Sequence, residues 1–249
     1  RDVDVEAAIK EKAEATGHYY RLMIDHVKHV LSDPGRVHPD YDPQAGFELA
    51  GFVWFQGWND MVDSGTYSNR GEPGGYDQYS QVMAHFIRDV RRDLDAPDMH
   101  FVIGVLGVGG PVELYDESQR RYIGIHTNFR NAMAAPASMP EFEGNVTAVL
   151  TEECWDKELD DVAQRNGLIG RRAKELREAN EGYPDVEGTI SPEEQRELVE
   201  QFRQETLSER DLELLTGITN AEYHYRGSAK ILGLIGKAFA EAMFEGMSE

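Results

Sequence analysis

The stretch Phe47–Asp60, FELAGFVWFQGWND, decides how the rest of the chain is read. Leu49 to Phe55 is a short run of apolar and aromatic residues bounded by Gly46 and Gly57. Such a run predicts a strand buried on both faces of a parallel sheet. It stops in Gln56, Gly57, Trp58, Asn59 and Asp60, which are not core material. In open α/β sheets, ligands sit beyond the carboxyl ends of the strands. The stretch therefore puts two amide side chains and a carboxylate where a ligand would lie, beside a glycine that lets backbone approach closely. Taken alone, Asn59 and Asp60 also suit a turn or a helix cap.

Outward from this strand the chain alternates. Before it, Tyr19, Leu22, Met23, His26, Val27, Val30 and Leu31 recur at helical spacing and predict one helix over Asp4–Leu31, ended by Asp33-Pro34-Gly35. His26 and His29 share a face of it, but a metal site needs further ligands in a defined geometry, so a partly exposed helix face is the favoured reading. A loop spans His38–Gly46. After the strand, Met61–Gly75 is rich in Gly, Ser, Asn and Asp and reads as a long loop; its acidic spacing is not that of a calcium loop. Tyr76–Leu94 is an amphipathic helix, FVIGVL at Phe101–Leu106 a second buried strand, and Gly107-Val108-Gly109-Gly110-Pro111 a tight turn lacking the spacing of a phosphate loop. Gln119–Met133 is a helix and NVTAVL at Asn145–Leu150 a third strand, which makes use of its Asn145-Val146-Thr147 sequon unfavourable. Strand and helix alternate three times, which predicts a parallel sheet covered on both faces.

From Glu153 to Glu213 charged residues dominate. Ser191-Pro192-Glu193-Glu194, after Thr189-Ile190, is a capping box with proline at the first helical position, and Ser208-Glu209-Arg210-Asp211 starts another turn in the same style. We read 153–213 as a charged helical insertion within a single domain spanning 1–249. A loop at Asn220–His224 then leads into a closing helix, Tyr225–Met243, with Ile231, Leu232, Leu234, Ile235, Ala238, Phe239 and Met243 on its apolar stripe.

Composition narrows the partners. With 46 Asp+Glu against 25 Lys+Arg the formal charge is −21, which disfavours nucleic acid and anionic membrane surfaces. No apolar run approaches the roughly 18 residues that span a bilayer, so no membrane insertion is expected. The single cysteine, Cys154, rules out an internal disulfide framework and a cysteine-rich zinc site. The chain begins at Arg1 without methionine, so the lack of a signal peptide says nothing of its compartment.

Two places can carry chemistry: the strand end at Gln56–Asp60 and the loop at His224. Both fall at the same edge of such a sheet. An imidazole facing amide donors suits acyl transfer, with the histidine as general base and amide N–H groups stabilising the oxyanion. Gly57-Trp58-Asn59-Asp60, at the end of a strand reading GFVWFQG, resembles the third sequence block of the SGNH hydrolases, and Trp54–Asp60 resembles the corresponding segment of the sialate O-acetylesterase-like carbohydrate esterases. Asn220-Ala221-Glu222-Tyr223-His224-Tyr225 resembles their last block, which carries the catalytic histidine. The similarity runs in order from Tyr20 to Met243, with the charged region as an insertion.

The resemblance implies a three-layer α/β/α fold of flavodoxin-like type, here as its C-terminal portion. It implies a serine esterase that removes acetyl groups from a sugar hydroxyl, with no metal and no cofactor, and favours an extracellular or periplasmic location. By residue it implies His224 as general base, Asn59 and the Gly57 N–H as oxyanion donors, and Gln56, Trp58 and Asp60 in contact with an acetylated carbohydrate. Two departures stand out. Nothing here fits the early G-x-S block that carries the nucleophile after the first strand of that family: Ser64 and Ser68 lie in the long loop, Ser191 and Ser208 cap helices and Ser228 opens the last one. The nucleophile is therefore expected on an upstream segment of the same polypeptide. Ala221 also occupies the position of the usual aspartate, leaving Asn220 or a backbone carbonyl to hold the imidazole, because Glu222 points elsewhere if the loop is extended. Two other readings follow from these departures: a non-catalytic relative binding glycans through Trp54, Trp58, Tyr67 and Tyr76, or an assembly role for 153–213.

Overall fold

In a computed structural model that describes residues 4–181 and 190–247, three parallel strands form the sheet in the order β1 (Gly51–Trp54), β2 (His100–Val105), β3 (Val146–Leu150). The register sets Trp54 beside Ile103 and Val105 beside Leu150. β2 is buried along its whole length, as its unbroken apolar run predicts. β1 is not: Val53 is 44% exposed. Among the described residues β1 pairs with β2 alone, so it is an edge strand and its apolar side chains are only partly covered.

Alternation along the strands separates two layers of helices. On one face Phe52 stacks on Phe101 with ring centroids 4.9 Å apart, and both meet Phe86 of α4 (Asp77–Asp93) edge-on. α5 (Ile123–Ala134) lies beside α4 and brings Phe129 and Met133 into the same core. On the other face Phe55 packs on Phe239 of α9 (Ala229–Gly246), with centroids 5.2 Å apart. Gly104 in mid-strand makes room for this pair, since a Cβ there would come within 2.5 Å of both rings. The molecule is an α/β fold of three layers.

The N-terminal segment is two helices, not one: α1 (Val5–Ala15) and α2 (His18–Leu31), broken where Gly17 turns left-handed at φ 69°. α1 buries nothing, and α2 buries Ile24, while Tyr19 and Leu22, expected on the apolar stripe, face solvent. α2 is fastened to α4 by the Tyr20 hydroxyl, which donates to Asp93 at 2.6 Å. His26 and His29 are exposed, and among the described residues no cluster of His, Cys, Asp or Glu is placed to hold a metal. The expected loop after β1 begins with a helical turn, α3 (Trp58–Val62).

The charged region forms α6 (Lys157–Glu181), α7 (Pro192–Thr206) and α8 (Glu209–Leu215). Both capping boxes form as expected, at Ser191 with Glu194 and at Ser208 with Asp211; Thr189 lies outside the described residues. These helices enclose a small core of Val162, Ile169 and Leu207, and Leu214 touches both that core and the main one. The closing helix starts later than expected. Ser228 caps α9, and Tyr225, Arg226 and Gly227 before it all sit at positive φ (52°, 60° and 59°). Leu232 and Leu234, expected to be buried on α9, are 45% and 44% exposed, and Ile231, Ile235 and Ala242 carry the buried face instead.

Candidate active site

At the carboxyl end of β1 the chain turns at Gly57, which is buried. A Cβ there would meet the Phe129 ring at 2.9 Å and the Tyr79 hydroxyl at 3.3 Å, so the backbone comes closer to the core than any other residue allows. The Tyr79 hydroxyl donates to the Gln56 carbonyl at 3.2 Å and fixes the turn from below. Gln56 and Asn59 are exposed. Asp60 is half-buried and bonds to the Gln56 side chain; burial pushes its carboxyl pKa up, against the lowering effect of that bond.

The second half of the site is the loop 219–227. The N–H groups of Thr219 and Asn220 both donate to the Arg226 carbonyl, at 2.9 and 3.0 Å, and the Arg226 N–H donates back to the Ala221 carbonyl at 3.1 Å. These cross-bonds close a ring of backbone and hold two non-glycine residues in the left-handed region, a strained arrangement that concentrates at functional sites. The loop presents His224, whose Nδ1 lies 2.9 Å from Asn220 Oδ1. Glu222 faces away from the imidazole. It lies 3.6 Å from Arg226, which also pairs with Asp160, and burial raises the Glu222 pKa.

The two halves share a cleft of about 490 Å³ lined by Gln56, Gly57, Asn59, Tyr223 and His224, with Leu106 at the end of β2 below them. Trp58 stacks on Tyr223, centroids 5.6 Å apart and planes 28° apart. Asp60 lines no part of this cleft. Of the four aromatics proposed as glycan contacts, only Trp58 faces it. Trp54 packs on Phe86 at 4.6 Å, and Tyr67 and Tyr76 are core residues at 8% and 1% exposure. Tyr223 carried no separate signal in the sequence, because its partner lies on a remote segment. Among the described residues no serine lines the cleft; Ser191 and Ser208 are helix caps as expected, and Ser228 caps α9.

Beyond the Trp58–Tyr223 stack a second cleft, about 710 Å³, runs between the Gly107–Gly110 turn, the start of α5 and the flank of α6. Four arginines line it: Arg70, Arg121, Arg171 and Arg226. Arg70 is engaged by the carbonyls of Met61 and Val62, and Arg226 by carboxylates. Arg121 lies over the Tyr122 ring at 4.6 Å, and among the described residues neither it nor Arg171 has an ion-pair partner. His126 reaches the cleft with its Nδ1 2.6 Å from the Tyr115 hydroxyl; burial, and secondarily the charge of Arg130, bring its pKa down to about 4. Arg130 itself is buried and braces the turn, donating to the carbonyls of Leu106, Val108 and Gly110 while pairing with Glu152.

The family model for carbohydrate esterases described as sialic acid-specific acetylesterases matches residues 7–146. The chain belongs to that family. The matched span holds the strand-end residues Gln56–Asp60 and stops short of His224. No curated protein and no solved structure gives a significant match. The family carries the SGNH fold, and the three-layer architecture of this chain agrees with it.

Proposed function

We propose that this carbohydrate esterase removes O-acetyl groups from a sugar hydroxyl by a serine-dependent route of the sialate O-acetylesterase type. The observation that carries the reading is the meeting of Gly57, Asn59 and His224 in one cleft from opposite ends of the chain. A serine hydroxyl attacks the acetyl carbonyl carbon and passes its proton to His224. The carbonyl oxygen becomes an oxyanion, held by the Gly57 N–H and the Asn59 amide. Collapse of that intermediate expels the sugar oxygen, which takes the proton from His224, and leaves an acetyl-serine. Water, deprotonated by His224, then releases acetate. The serine belongs to a segment upstream in the same polypeptide, a placement supported by the outer edge of β1, which pairs with no strand among the described residues.

Arg121 and Arg171 support an acidic sugar as the substrate. Two cations without carboxylate partners among the described residues, in a chain of net charge −21, suit a ligand that carries its own anion. The test is acetate release from an O-acetylated sialic acid by the complete polypeptide. His224→Ala should abolish it without changing the melting temperature; retained activity removes His224 from the mechanism. Among the described residues no serine lines the cleft, which favours a second reading, a glycan-binding relative without catalysis. Stoichiometric labelling of a serine by a fluorophosphonate separates the two, since only the esterase reacts.

A further inference from the structure

We infer that Asn220 is the positioning residue for His224, and that it does without charge what a carboxylate does in an acid-assisted triad. The argument is one of hydrogen-bond polarity. Asn220 Oδ1 lies 2.8 Å from the Ala221 N–H, which can only donate, so the amide presents its oxygen there. The same oxygen lies 2.9 Å from His224 Nδ1. An amide oxygen carries no hydrogen, so the imidazole must donate, and Nδ1 carries the proton. In the neutral ring the lone pair is then on Nε2. A free imidazole in water favours the opposite tautomer, with the hydrogen on Nε2. Asn220 therefore selects the form in which Nε2 can accept a proton.

Both partners belong to one braced loop, so the selection does not depend on distant packing. The His224 N–H donates to the Ala221 carbonyl at 3.0 Å, and the Asn220 N–H donates to the Arg226 carbonyl at 3.0 Å. The Tyr223 ring sits edge-on to the imidazole with centroids 4.4 Å apart, which limits ring rotation. The one acidic side chain of this loop, Glu222, is committed to Arg226 on the wall of the larger cleft. Ala221, where an acid is expected, has no side-chain acceptor to offer. Asn220, one residue earlier, supplies it.

The inference rests on His224 being the general base only for its consequence in catalysis; the tautomer is a property of the chain itself. Long-range proton–nitrogen NMR of the imidazole rings, with His224 assigned by its loss in His224→Gln, reads it directly. At alkaline pH His224 should show a protonated Nδ1 and a bare Nε2. Asn220→Ala should shift the ring toward the Nε2–H form, and Asn220→Asp, which keeps an acceptor in place, should restore Nδ1–H. A parent ring in the Nε2–H form, or an Asn220→Ala ring unchanged from the parent, overturns the proposal. In the complete polypeptide, Asn220→Ala should lower kcat about a hundredfold, as misplacement of a reacting group does, with KM little changed. An unchanged kcat in that variant, where His224→Ala is inactive, overturns the positioning role while leaving the esterase reading intact. Activity surviving His224→Ala sinks that reading instead, and the NMR result stands apart from it.

Discussion

The Tyr225 hydroxyl oxygen accepts a hydrogen bond from the Gly107 N–H at 2.9 Å, which ties the His224 loop to the turn that ends β2. The chain of bonds continues. Thr151 Oγ1, 3.0 Å from the same hydroxyl, donates to the Val105 carbonyl at 2.7 Å, so the Tyr225 O–H must donate to Thr151. One buried hydroxyl thus links the loop to the ends of two strands. The left-handed backbone at Tyr225 is what aims its ring inward while His224 stays outside.

Tyr225→Phe should keep the ring's packing and remove only the hydroxyl. It leaves the Gly107 N–H without an acceptor in a buried setting, at a cost of about 1–3 kcal/mol. Urea unfolding of the two proteins measures this. Equal midpoints would mean that the loop is held by its own backbone bonds alone.

Gly57→Ala should destabilise by about 1–3 kcal/mol, the usual cost of forcing a methyl group into a packed core, because its Cβ lands 2.9 Å from Phe129. Phe129→Leu in the same chain should recover part of the loss. Calorimetric melting of the single and double variants tests the pair.

His126 should make stability fall in mild acid. Its pKa is near 4 in the folded chain against an ordinary 6.5, so the unfolded chain binds the extra proton between those values. Stability from this group is full above about pH 6.5 and is lost as pH drops toward 4, by about 3 kcal/mol in all. His126→Gln should flatten this part of the profile. Unfolding free energies at pH 7 and pH 4.5 for both proteins decide it, and equal differences would contradict it.

Arg171→Ala should raise KM for an O-acetylated acidic sugar about tenfold, the loss of one charge-assisted hydrogen bond of roughly 1.5 kcal/mol. A neutral acetylated sugar should be unaffected. Steady-state kinetics on both substrates checks the prediction, and an equal effect on both would deny Arg171 a role in reading charge.

What was legible in the sequence were features written in consecutive residues. The unbroken FVIGVL of β2 and the capping boxes at Ser191 and Ser208 each carry their own local cause. The break at Gly17 was less so, because a single glycine between helix-forming residues does not by itself end a helix. The burial of β1 was overstated, since a run of apolar residues does not reveal whether a neighbour exists on its far side. At the site, Gln56–Asn59 and His224 could be placed from their flanks. The turn at Tyr225 and Arg226 could not, because neither residue type is at home at positive φ; only the bonds from Thr219 and Asn220 to the Arg226 carbonyl put them there. The Trp58–Tyr223 stack joins two segments far apart in the chain and exists only in the fold.

The small core of α6, α7 and α8 gives the two clefts unequal walls. Val162, Ile169 and Leu207 hold those helices mainly to one another, whereas β2 is locked on both faces. Backbone amides of α6 along Ala163–Arg171 should therefore exchange with solvent deuterium through a partial opening that leaves β2 protected. The larger cleft is thus walled on one side by the braced Gly107–Gly110 turn and on the other by the arginine-bearing flank of α6, the side that this opening would widen. If the acidic glycan proposed above binds here, such opening should let a bulky one enter beside α6 and close against the Gly107–Gly110 turn.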